Sequence, residues 1–84
     1  MCYVNDVADL FLSRCSSLTI LSPMDYTVIA EWEKQEIPLT VVIDSINRSC
    51  DELGERVAEI ETIADFRATV KQNYVDWLQI SAAV

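Results

Sequence analysis

Leu21 to Trp32, LSPMDYTVIAEW, carries so many marks of a helix start that the rest of the chain can be read outward from it. Ser22 is placed as N-cap, Pro23 at N1 where its missing N–H costs nothing, and Asp25 at N3 where its carboxylate completes a capping box. Leu21 before the cap and Tyr26 one turn after it have the spacing of a hydrophobic staple. Beyond the cap, Met24, Val28 and Trp32 follow at i, i+4 and i+8 with Ile29 beside them, so the indole closes one apolar face while Tyr26 and Ala30 point to the other side. This predicts a helix over Pro23–Gln35. It must stop before Pro38, whose ring excludes the preceding residue from the α region, which leaves Ile37 as a hinge.

On the far side of that hinge, Leu39, Val42, Ile43, Ile46, Cys50 and Leu53 form a continuous apolar stripe over a helix Pro38–Leu53, with Pro38 at N1. Val41 lies opposite the stripe among Asp44, Ser45 and Arg48, and is read as a lone exposed apolar residue. Gly54, the only glycine, follows Leu53 where a residue of positive φ ends a helix most readily. Upstream, Val4, Val7, Ala8, Phe11, Cys15 and Leu18 recur at helical spacing and predict a first helix over Tyr3–Ser16, with Leu10 and Leu12 widening its apolar face. Leu18 to Leu21 is a connection. Downstream, Ile60, Ile63, Val70, Tyr74, Trp77 and Leu78 share one face, with Arg67 inside it, its guanidinium expected to reach water. Either one helix spans Glu55–Ile80 or two meet near Asp65; the unbroken phase favours one.

One glycine and two prolines leave too few turn residues for hairpins, which counts against an all-β fold. Hydrophobic residues at 51% against 24% charged place the chain outside the compositions of intrinsic disorder. The expected fold is a single all-α domain, residues 1–84, built as a small orthogonal or irregular bundle of about four helices. An unbroken fourth helix would be about 39 Å long at 1.5 Å per residue. That exceeds what three shorter helices cover, so its second half, with Tyr74, Trp77 and Leu78, bends at Asp65 or packs on another chain. A homodimer is the corresponding expectation.

The net charge of −8 repels a phosphate backbone, so nucleic acid is not the expected partner. No run of 18 apolar residues is present, and no basic amphipathic face is available to lie on a membrane surface. Three cysteines, Cys2, Cys15 and Cys50, are odd in number and lack CxxC spacing, which points to free thiols in a reducing cytoplasm, two of them serving as small hydrophobes on helical stripes.

With no histidine, the commonest general base and metal ligand is missing, and three scattered thiols do not make a zinc site. A single glycine excludes GxGxxG and P-loop cradles. Asp51, Glu52, Glu55, Glu59 and Glu61 cluster without EF-hand spacing and read as a solvated acidic face. No catalytic residue, cofactor or metal is expected, and the chain is not read as an enzyme. What remains is surface. The aromatic pairs Tyr26 with Trp32 and Tyr74 with Trp77 are the natural energetic centres; both indoles are assigned first to the core, as helical spacing favours, and Tyr26 is left open. A docking role, where the chain has one, falls on Tyr26, Tyr74, Trp77 and Leu78.

The stretch SPMDYTVIAEWEKQEIPLTVVIDSI, within Leu21–Ser49, resembles a group of short uncharacterised bacterial all-helical proteins: a Ser-Pro-x-Asp start, a helix ending in Trp, then Ile-Pro-Leu and a second helix. More remotely it is similar to the DnaD-type helical domain of primosome proteins. The first resemblance carries no activity. The second implies a replication-linked role in binding DNA or a protein partner. The expectation taken from the residues themselves is a protein–protein interaction module or adaptor, with the nucleic-acid-associated domain as the alternative.

Overall fold

The structure, a computed structural model, describes residues 2–14 and 20–83, the side chains of 82 and 83 excepted. Among the described residues four α-helices form: α1 (Tyr3–Arg14), α2 (Pro23–Lys34), α3 (Leu39–Leu53) and α4 (Arg67–Ala83). Two short 3₁₀ segments, Gly54–Glu59 and Ile63–Phe66, lie between α3 and α4. The expected end of α1 at Ser16, and the assignments of Cys15 and Leu18 to its stripe, lie outside the described residues.

The cap of α2 forms as its residues dictate. Asp25 N–H donates to Ser22 Oγ at 3.2 Å, and Ser22 N–H donates back to the Asp25 carboxylate at 3.0 Å. The same carboxylate reaches further. Its second oxygen accepts from the Thr62 hydroxyl at 2.6 Å and from Ile63 N–H at 3.1 Å, and Ser22 Oγ–H adds a further bond at 2.9 Å. Asp25 is therefore only 3% exposed. Burial by itself pushes this carboxyl up, but the donors from Thr62, Ser22 and Ile63 outweigh it and hold the group below its ordinary 3.8.

Because Asp25 takes a core position, the buried stripe of α2 is Asp25, Val28, Ile29 and Trp32. Met24, expected on that stripe, stands in solvent one position around the first turn. Leu21 is buried, whereas its staple partner Tyr26 is 40% exposed. The helix closes in a Schellman turn: Ile37 N–H donates to Trp32 C=O at 3.1 Å and Glu36 N–H to Glu33 C=O at 3.0 Å. Glu36, at φ +63°, takes the left-handed position usually held by glycine. Ile37 and Trp32 are both buried beneath this turn, and the Tyr3 hydroxyl donates to Ile37 C=O at 2.9 Å, docking the start of α1 there. Burial, reinforced by the nearby Glu33 carboxylate, pushes the Tyr3 phenol up to about 12.

Pro38 is the N-cap of α3, not N1 as expected: at ψ 140° it is extended, while its carbonyl already accepts from Val41 and Val42 N–H. Val42, Ile46 and Cys50 face the core as their spacing requires. The exposed reading of Val41 is overturned, since Val41 and Ser45 are both buried. α4 crosses α3 on this second side, and the Asn73 amide donates to Ser45 Oγ at 2.7 Å while Ser45 Oγ–H donates to Val41 C=O at 2.7 Å. Asp44 and Arg48 stay outside as an i, i+4 ion pair.

The single helix expected over Glu55–Ile80 does not form. After Gly54 (φ +57°) the chain turns as a 3₁₀ segment, then runs extended through Ile60 (ψ 123°) and Thr62 (ψ 144°). Thr62 caps the next turn, accepting from Ala64 N–H at 3.2 Å. The break folds Ile63 and Phe66 back into the core, where the Phe66 ring meets Phe11 edge-on at 5.8 Å. Arg67 opens α4 with its side chain in water, paired with Glu31 at 3.5 Å.

Asp25→Asn puts amide hydrogens against the Ser22 or Thr62 donors, and should cost about 2–4 kcal/mol by urea denaturation at neutral pH. Since folding lowers this carboxyl's pKa, its stabilisation is complete above the unfolded value near 3.8 and is lost as pH falls through the folded value. The gap between wild type and variant should therefore narrow below about pH 4; a gap independent of pH would show that the carboxylate charge is not what the site holds. Glu36→Gly should raise stability by about 0.5–1 kcal/mol through relief of the left-handed backbone.

Candidate interaction surface

Among the described residues, four of the seven exposed large apolar side chains, Val75, Trp77, Leu78 and Ile80, lie on the second half of α4, and the other three, Ile20, Met24 and Tyr26, lie at and before the start of α2. The first half of α4 is anchored: Val70 is in the core, and Asn73 is tied to Ser45 on α3. Beyond this point the helix carries Tyr74, Val75, Trp77, Leu78 and Ile80, an apolar run too wide in angle for one face. Tyr74 is half-buried against the core. Trp77 is 41% exposed, Leu78 44% and Ile80 67%. The Trp77 indole stacks on the Tyr74 ring, with centroids 6.1 Å apart and planes at 19°.

Of the residues expected to dock a partner, the structure brings Tyr74, Trp77 and Leu78 together on one helical segment. Tyr26 stands on the first turn of α2, and no ring contact joins it to them among the described residues. The assignment of both indoles to the core holds for Trp32, 4% exposed, and fails for Trp77. The cause is the break at residues 60–62, which commits the core-facing turns to Ile63, Phe66 and Val70 and carries the later turns past the core. Ile80 was missed as a surface residue; its signal was the crowding of five apolar side chains into seven positions, more than one helix face can bury.

Alongside Trp77 and Ile80 runs a groove of about 610 Å³ between α3 and α4. Val41 and Ile43 on α3, with Trp77 and Ile80 on α4, give it an apolar floor; Asp44, Asn47 and Arg48 line it from α3 and Asn73 and Asp76 from α4. Asp76 accepts from the Gln72 amide at 3.0 Å, and Arg48 is engaged by Asp44 at 3.0 Å. The concavity offers apolar contact beside two carboxylates, of which Asp44 is paired with Arg48 and Asp76 is not in an ion pair among the described residues.

The acidic run Asp51, Glu52, Glu55, Glu59 and Glu61 is exposed throughout, with Arg14 on Asp51 and Arg56 near Glu59. Among the described residues no group of three or more His, Cys, Asp or Glu side chains converges to hold a metal ion, and no helix is long and apolar enough to cross a membrane. Cys2 is an exposed free thiol and Cys50 a buried one. Compared with protein-family models, curated proteins and solved structures, the chain matches none.

The two indoles separate packing from surface. Trp32→Ala should cost about 3–5 kcal/mol, and Trp77→Ala about 1 kcal/mol or less, the worth of its stacking on Tyr74. Urea midpoints of the two variants provide the comparison, and equal losses would mean that Trp77 belongs to the core.

Proposed function

We propose that this chain is a small protein–protein interaction module or adaptor that docks its partner through the second half of α4. The observation that carries this reading is the coincidence of exposed Trp77, Leu78 and Ile80 on one regular helix with an apolar groove at its side. Exposed apolar surface costs solubility, and in small soluble proteins large apolar surfaces mark sites that another chain covers. Trp and Tyr are the residues most often found at the energetic centre of such contacts, because a large rigid ring is desolvated with little loss of conformational freedom. Tyr74 supports this role by holding the indole from below, so that little ordering is left for the binding step. Free thiols at Cys2 and Cys50 favour a reducing compartment such as the cytoplasm as the place where it works.

The replication-linked, nucleic-acid-associated alternative has less support. Four of the six basic side chains, Arg14, Arg48, Arg56 and Arg67, already lie in ion pairs within the chain, which leaves little cationic surface to displace counterions from a duplex.

Affinity capture from cells that make the protein tests the proposal when wild-type bait is run beside Trp77→Ser/Leu78→Ser bait. A protein retained by the wild type and lost with the double variant is expected. Identical retention by both baits would remove α4 from the role, and retention of nothing at native abundance would remove the role itself.

A further inference from the structure

The α3–α4 groove has features that select among partners, and they extend the interaction reading on which this inference rests. Its lining residues repeat at helical spacing on both walls: Thr40, Ile43, Asn47 on α3 and Asn73, Asp76, Trp77, Ile80 on α4. Two helices presenting i, i+3, i+4 and i+7 residues side by side leave a trough shaped for a third helix. From Thr40 to Arg48 it is about 12 Å long, or roughly two turns, enough for three apolar anchors of a partner helix.

The electrostatics give the sign of that helix. Asp44 edges the trough on one side and Asp76 on the other, and Arg48, the one cation among the lining residues, is held by Asp44. The whole chain adds a net charge of −8. A second copy of the chain would bring the same charge against itself, and its basic side chains are mostly engaged.

We propose that this groove receives a basic amphipathic helix of another protein, its apolar face on Ile43, Trp77 and Ile80 and its cations toward Asp76 and Asp44. Binding is then apolar in its floor and electrostatic in its selectivity, faster and tighter at low salt.

The test uses the full chain and three labelled peptides followed by fluorescence anisotropy: an amphipathic Leu/Lys helix, a peptide of the same composition scrambled to have no apolar face, and the Leu/Glu counterpart. The amphipathic Leu/Lys peptide should bind, with affinity lowered roughly tenfold or more by Ile80→Glu and by Asp76→Lys, a loss of about 1.4 kcal/mol each. Both side chains stand on the exposed end of α4, and unchanged urea midpoints would show that the variants remain folded. Equal binding of the scrambled peptide, equal binding of the Leu/Glu peptide, or wild-type affinity in Ile80→Glu would each overturn the proposal. Light scattering that finds a dimer broken by Ile80→Glu would assign the groove to a second copy instead and also overturn it. Loss of a captured protein from the Trp77→Ser/Leu78→Ser bait, with no peptide binding, would reject the basic helix and keep the interaction module.

Discussion

The fold turns on one carboxylate. Asp25 accepts from Ser22 N–H and Oγ–H at the start of α2 and from the Thr62 hydroxyl and Ile63 N–H thirty-seven and thirty-eight residues later. A local device for beginning a helix thereby fixes where the chain returns after α3. An ionised group in a buried position is costly unless donors satisfy it, and here both oxygens are satisfied, so the burial selects one arrangement of the two segments. Everything downstream inherits that choice: with Thr62 held at Asp25, Ile63 and Phe66 enter the core against α1, α2 and α3, and α4 must start at Arg67 and cross α3 on the Val41–Ser45 side.

This also explains which parts of the structure were legible in the sequence. The Ser22–Asp25 box, the stop before Pro38, the α3 stripe through Ile46 and Cys50, and the burial of Trp32 depend on contacts within a turn or on one dominant face, and periodicity reports those well. Val41 and Ser45 were misplaced because a helix clasped on two sides has no outer face where one is expected, and nothing in α3 itself announces the second partner. The break at 60–62 was hidden for a different reason. Ile60, Ile63, Val70, Tyr74 and Trp77 keep helical phase across it, so the pattern reads as continuous. The local signal was nevertheless present: Thr62-Ile-Ala-Asp65 repeats the hydroxyl-x-x-acid form of Ser22-Pro-Met-Asp25, and both hydroxyl residues cap the turns they precede.

For the surface, Tyr74, Trp77 and Leu78 could be singled out in the sequence, but helical spacing did not separate exposed Trp77 and Leu78 from half-buried Tyr74. Whether an aromatic at helical spacing lies in a core or on a surface depends on how much core remains to be filled when its turn arrives. Among the described residues fifteen buried apolar side chains form this core, the last of them Val70. In a domain of this size the buried volume is soon exhausted, and beyond Val70 Tyr74 is half-buried against the core while Val75, Trp77, Leu78 and Ile80 are exposed.

Those turns nevertheless remain regular helix. Starting a helix is expensive because several residues must be ordered for the first hydrogen bond, whereas extending it adds one bond per residue. Here the costly part is done by the docked turns: Val70 is buried, and Asn73 is bonded to Ser45. The exposed part then propagates with modest local help from the Gln72–Asp76 bond and the Tyr74–Trp77 stack. In the docking role proposed for α4, an apolar surface carried on a propagated helix needs little further ordering, so desolvation of Trp77, Leu78 and Ile80 would appear as affinity instead of being spent on ordering the chain. The same Asp25 contact that breaks the expected long helix thus also fixes the point from which its remaining half, α4, grows.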